Sequence, residues 1–558
     1  MTPRPAGRSD QIADRYVDAY AALDPCVATY VGVPGHDAEM TDYSPDGFAA
    51  RADLARATLR ELAAVPETPD DARVARELLA ERLSREVEIA DAGLFTSDLN
   101  VTASPLQMMR QVFDLMDVDG ADAWATIATR LAAVPAALTG YRASLQASAA
   151  DGRVAARRQV ERCAEQCARW SGAPGDGFFA DLVARSGIDG ALRTALEDSA
   201  TMAAESMAGF GRFLTETLIE QATDRDAVGR DRYALWSAYF TGSTIDLDET
   251  YAWGWDELAR IDAQMVEVAG RIAPDADVAG AVSVLDVDPA RQMANPAALR
   301  DWMQQLSDRA VDALADIHFD IPAPVRRLEC RIAPTHDGGI YYTGPSEDFT
   351  RPGRMWWAVP KGVESFTTWR ETTTVFHEGV PGHHLQVAQT AYRADKLNRY
   401  RRMLCWVPAH GEGWALYAEK LMADLGFLDD PGDRLGMLDA QAFRAARVIV
   451  DIGMHLELPI PMGVGFHDGE RWSPELGLEF LRLHCSMDDA YLRDELDRYL
   501  GWPAQAPCYK VGERLWLAAR DDAERRHGDR FDLKAFHAAA LDLGSMGLDL
   551  LRSELALI

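Results

Sequence analysis

The sequence predicts a mainly α-helical protein with one short β-rich interruption. Apolar residues recur at three- and four-residue steps through most of the chain, and Pro/Gly clusters such as VGVPGHD, SGAPGDG and LPIPMGVG punctuate those runs. A single window, residues 326–360, drops the helical period for short aromatic and β-branched runs.

In chain order, helical patterns occupy roughly 8–24, 45–92, 120–170 and 189–222. In 247–272, Trp255, Leu258, Ile261, Met265 and Val268 form the stripe of a helix packed on a core. Another helical run covers 296–318. The segments RRLECRIAP, GGIYYTG and RMWWAVP then read as a small antiparallel sheet, set between Gly, Pro and Asp turns. A helix over 365–378 follows, with Ser365 as N-cap and Phe366, Trp369, Thr373, Phe376 and Val380 as its buried stripe. Further helices are expected over 412–424, 436–456, 474–500 and 536–552. No linker or repeat divides the chain, so 1–558 reads as one large helical domain with two lobes, carrying its metal-site helices at 365–424.

With 48% apolar residues, a chain of 558 residues has ample material for a large core. Asp and Glu number 88 against 57 Lys and Arg, for a formal net charge of -31. Such a surface repels phosphate backbones and anionic lipids, so nucleic acid and membrane are not expected partners. The cysteines are seven, an odd number with no paired spacing; Cys163 and Cys167 merely share a helix face. That usage, with no apolar leader segment and no stretch of about 18 apolar residues, points to a cytoplasmic protein. The oligomeric state stays open, a homodimer included.

The chemistry gathers at HEGVPGHHLQ (377–386). Zinc hydrolysis needs imidazoles and a carboxylate on one ion, and a second carboxylate to take the proton of the attacking water. His377 and Glu378 supply the start of that set, but the next histidines lie at i+6 and i+7, not i+4. Along an unbroken helix i+7 is about 10.5 Å away, too far for one ion. Pro381 between Gly379 and Gly382 makes a bulge or kink the expected remedy. Extruding two residues brings in His383, extruding three brings in His384; the spacing leaves both open, with a preference for His384. Downstream, AHGEGWALYAEKL opens a helix at Glu412, the expected third ligand, with Glu419 as its fallback and His410 as an orienting or pocket-lining residue.

The stretches HEGVPGHHLQ, EGWALYAE, RAARVIVDIGMH and DRYLGWPAQAPCYKVGE, in this order, resemble the bacterial domain-of-unknown-function-885 family through most of the chain. That family is similar in fold to the thermostable carboxypeptidase (Taq-type) group and, more distantly, to neurolysin-like and angiotensin-converting-enzyme-like peptidases. The resemblance implies a two-lobed, zincin-like helical fold with a central cleft. It implies His377 as first ligand, Glu378 as general base, His383 or His384 as second ligand and Glu412 as third. By the same similarity, Tyr509 would donate its hydroxyl to the oxyanion. Arg447, Asp451 and His455 lie four apart on one helix face, where a chain of charge-assisted bonds would serve either structure or pocket. Arg351 in DFTRPGR would hold a substrate carboxylate.

The expectation is therefore one Zn²⁺ per chain and a hydrolase of peptide or amide bonds, a carboxypeptidase or oligopeptidase. Two other readings stand beside it: a zinc amidohydrolase of small non-peptide amides, and a non-catalytic binding protein that keeps the fold. Intact Glu378 beside intact ligands argues against the last.

Overall fold

The computed structural model describes residues 7–66, 70–172, 177–333, 339–359, 363 and 365–558. It is mainly helical, with small sheets. The chain divides into two compact units: one runs to Tyr239 and takes back Arg493–Pro503, the other holds Phe240–Leu492 and Ala504–Ile558.

In the first unit, the Ala121–Ala150 helix packs on the Gly190–Phe213 helix, with Tyr141 stacked on Phe210 at 5.4 Å. Cys163 and Cys167 are buried in this core, and all seven cysteines of the chain are buried free thiols. The expected run over 120–170 is two helices, Ala121–Ala150 and Arg157–Trp170. That over 45–92 is Pro45–Ala63 and Asp70–Asp91; residues 67–69 of that run, like 173–176 in SGAPGDG, lie outside the described residues. Among the described residues, no helix is long and apolar enough to cross a membrane.

The second unit carries the elements that matter for chemistry. Its sheet consists of β1 (Leu328–Ile332), β2 (Ile340–Thr343) and β3 (Gly353–Trp357), in the order β1-β3-β2. The pairing β2–β3 is antiparallel but β1–β3 is parallel, so the expected antiparallel sheet is in fact mixed. GRMWW buries Gly353, Met355 and Trp357 alternately and takes the centre of the sheet. The connection through 334–338, and residues 360–362 and 364 of the expected β-to-helix passage, lie outside the described residues.

The sheet packs through Leu328, Cys330, Met355 and Trp357 on Leu299 and Met303 of the Pro296–Leu314 helix, and the same cluster includes Val375 of helix α1 (Thr368–Glu378). Helix α1 starts three residues later than expected. Phe366 and Thr367 pair as strand with Met293 and Gln292, so Ser365 is not its N-cap; Thr367 takes that position without a side-chain bond. After α1 come α2 (His383–Tyr392), α3 (Pro408–Asp424), α4 (Pro431–Leu456) and α5 (Cys508–His527). Helix α3 begins at Pro408, a favourable first position, so Glu412 sits in its second turn and does not open it. The run over 474–500 is two helices, Pro474–His484 and Asp489–Gly501, and that over 536–552 is Leu533–Leu541 and Leu548–Leu555.

Helix α4 is buried on nearly every side and acts as the pillar of this unit. Gly436 lets α1 approach: a Cβ there would lie 2.0 Å from the Trp369 carbonyl oxygen. Helices α3 and α5 cross just as closely, since a Cβ on Gly512 would meet the Ala409 carbonyl oxygen at 1.8 Å and one on Gly413 would meet Gly512 Cα at 2.4 Å. These contacts fix the backbones that present the histidines and glutamates.

Candidate metal centre

Helix α1 ends at Glu378, and the next four residues are neither bulge nor kink but a turn between two helices. Gly382 N–H donates to the Phe376 carbonyl at 3.0 Å, and a Cβ on Gly382 would sit 1.9 Å from the His377 carbonyl oxygen. The turn thus folds back onto the last turn of α1, and Trp414 of α3 pins it by donating Nε1–H to the Pro381 carbonyl at 2.9 Å. Helix α2 then begins at His383 itself.

This turn brings His377 and His383 edge to face, ring centres 4.8 Å apart. The Nε2 atoms of both rings stand 3.4 Å from one oxygen, Oε2, of Glu412. One donor atom from each of the three residues lies within 4.8 Å of the others. The set fits a divalent ion: with bonds of roughly 2.1 Å, tetrahedral neighbours stand about 3.4 Å apart. Glu419 is not part of the group. It accepts Nδ1–H of His377 at 2.7 Å and the Thr373 hydroxyl at 2.6 Å, which fixes the ring and leaves Nε2 facing Glu412.

The electrostatics follow from this crowding. Burial alone would depress His377, but hydrogen bonding to Glu412 and Glu419 outweighs it and lifts the imidazole to about 9. Burial alone would raise Glu412, and the two histidines instead hold it well below the ordinary carboxylate range. Glu378 is raised by burial, which outweighs the nearby histidines and Arg444, and its Oε2 is buried with no hydrogen-bond partner among the described residues.

His384, the favoured second ligand by spacing, points elsewhere. Its Nε2–H donates to the Val325 carbonyl at 2.7 Å, and its Nδ1 accepts from the Tyr342 hydroxyl of β2 at 2.9 Å. Gly353 on β3 makes room, since a Cβ there would lie 2.6 Å from Nδ1. With both ring nitrogens engaged and burial holding the ring down at about 4, His384 is a neutral tether between sheet and helix. The grouped histidine is His383, which corresponds to two extruded residues.

His410 is buried on α3, two residues before Glu412. Its Nδ1 accepts from Gln386 Nε2–H at 3.0 Å, its Nε2 has no partner among the described residues, and burial pushes it down to about 3. Asp451 and His455 are not among the three grouped donors. The Arg447 guanidinium stacks over the Phe443 and Tyr509 rings at 4.2 and 4.7 Å. Asp451 accepts the Ala504 N–H at 2.9 Å and faces His455 at 3.9 Å. Arg351 lies in the β2–β3 loop, its backbone tied to Ser346, while its guanidinium makes no hydrogen bond with the described residues. Burial pushes it below the ordinary arginine value.

The sequence reading missed Tyr342, Thr373 and Arg444, and named Glu419 only as a fallback for Glu412, where it instead holds the His377 ring. Two signals were available. Thr373 and His377 are i,i+4 on α1, and Glu412 and Glu419 are i,i+7 on α3, so each pair shares a face.

A family model described as "Bacterial protein of unknown function (DUF885)" matches residues 25–555. A solved structure of a "putative lipoprotein" from Colwellia psychrerythraea is similar in fold, with 21% identity, 98% of both chains covered and a TM-score of 0.85. Another, a "putative lipoprotein of unknown function" from Shewanella oneidensis, gives 16% identity over 98% of this chain and 99% of that one, with a TM-score of 0.72. No curated protein matches the sequence.

Proposed function

The chain belongs to this family of bacterial proteins of unknown function, and we propose that it is a zinc-dependent hydrolase of peptide or amide bonds. One observation carries the reading: two imidazoles and a carboxylate converge within 4.8 Å while the neighbouring Glu378 keeps a buried carboxylate oxygen without a partner. A buried carboxylate oxygen left without a partner is costly, and a site that moves protons is where that cost is met by a gain.

His377 Nε2, His383 Nε2 and Glu412 would hold the ion. A divalent ion there, zinc by the chemistry of the donor set, would acidify water and polarise the scissile carbonyl. Glu378 takes the water proton and delivers it to the leaving amine, a task suited to a carboxyl raised by burial. Glu419 keeps the His377 ring in place throughout. Tyr509 donates its hydroxyl to the oxyanion. The helical zincin-like, neurolysin-like fold belongs to the same proposal.

Arg351, whose guanidinium makes no hydrogen bond with the described residues, favours a carboxypeptidase, since a bidentate clamp on a terminal carboxylate would satisfy it. The edge strand β2 offers backbone groups to an extended peptide. The test is Glu378→Gln in full-length protein purified without chelator. We expect a retained metal ion, and peptide turnover lower by a factor of about 10² to 10⁴. Wild-type protein without a bound transition metal, or a variant as active as wild type, refutes the reading.

A further inference from the structure

We propose that Trp406 forms the substrate-facing wall beside the metal group and selects an aromatic side chain next to the scissile bond. This rests on the hydrolase reading and extends it to a substrate class.

The indole is 45% exposed, although its neighbours Cys405 and Val407 are buried. Both neighbours are anchored on Ser545: the Cys405 thiol donates to its carbonyl at 3.3 Å, and Val407 N–H donates to its hydroxyl at 3.0 Å. Trp406 is therefore held in place by its own backbone and not left loose at a mobile tip. Its six-membered ring lies on Gly411, the residue before Glu412, where a Cβ would sit 2.2 Å from Cη2. Its ring centre is 5.8 Å from that of His383. Any side chain at Gly411 would push the indole off this seat.

An indole spread over the backbone that carries one grouped residue, and packed against another, borders the space next to the reacting atoms. An exposed tryptophan in a fixed position forgoes apolar burial, and ligand contact restores it. Its Nε1–H makes no hydrogen bond with the described residues, so it also offers a donor. A flat ring face with a free donor at its edge suits Phe, Tyr or Trp better than a small or charged side chain.

The probes are cobalt(II) alone, then phenylalanine hydroxamate and alanine hydroxamate on the cobalt-loaded full chain, followed by calorimetry. Wild type is expected to bind the phenylalanine compound about tenfold tighter than the alanine compound. Trp406→Ala should keep its affinities for cobalt and alanine hydroxamate while the preference falls to near unity, and Trp406→Phe should keep most of it. A preference unchanged in Trp406→Ala, or equal affinities for the two hydroxamates in cobalt-loaded wild type, overturns this proposal alone. A wild-type protein that takes no cobalt overturns the metal-site reading beneath it.

Discussion

With a carboxylate at each ring nitrogen, His377 holds a proton tightly when no cation lies between it and Glu412. Its folded value, about 9, lies above the unfolded value of 6.5. The stability it lends the metal-free protein is therefore fully present below pH 6.5 and disappears as pH rises through 9. Glu412 has the opposite sign: its contribution is present above 4.5 and is lost as the solution turns strongly acidic. At neutral pH a cation has to displace the His377 proton. Calorimetry in buffers of different ionisation enthalpy should find roughly one proton released per zinc at about pH 7, with affinity rising by about tenfold per unit up to about pH 9. A binding heat independent of the buffer would contradict a protonated His377. The two adjacent histidines should separate as cleanly. His383→Ala should abolish metal binding measured on the purified protein, whereas His384→Ala should retain the metal and lose about 2–4 kcal/mol in chemical denaturation, because Val325 and Tyr342 lose their partner. The reverse pattern would restore His384 as the ligand. The motif made His377, Glu378 and Glu412 legible in the sequence. It could not decide between His383 and His384, because the residues that claim His384 lie 42 and 59 positions upstream.

Among the elements, periodicity located helices well where one apolar face meets one neighbour, as in Leu247–Ile272, whose observed limits match the expected ones. It failed where another strand decided the backbone: Phe366 continues the stripe of α1 but, with Thr367, is drawn into a ladder with Met293 and Gln292. Parallel pairing in the sheet was equally hidden, since the direction of β1 against β3 leaves no mark in the alternation of either strand. Close helix crossings were also invisible, because a glycine inside a helical run reads as a weak point. Gly512 shows what that reading omits. Gly512→Ala puts a methyl against the Ala409 carbonyl oxygen, so α3 and α5 have to separate. We expect a loss of about 1–3 kcal/mol, or more, and weaker zinc binding, because Ala409 and Glu412 share one helix. Denaturation with metal titration checks both; a variant as stable as wild type with unchanged zinc affinity would show that the crossing has slack.

At the scale of the whole molecule, the balance of 88 acidic and 57 basic residues says nothing of how the chain is partitioned. That partition has a consequence in time. The unit that runs to Tyr239 is completed by Arg493–Pro503, where Asp497 accepts Arg162 Nε–H at 2.9 Å through Oδ2 and Gln159 Nε2–H at 2.7 Å through its carbonyl. On a ribosome those closing residues emerge about 260 positions after Tyr239, which at roughly 5–20 residues per second is a wait of about 13–50 s. Throughout that interval Gln159 and Arg162 have no Asp497 to meet, and the nascent chain carries an unfinished surface that a chaperone can read as an unfolded one.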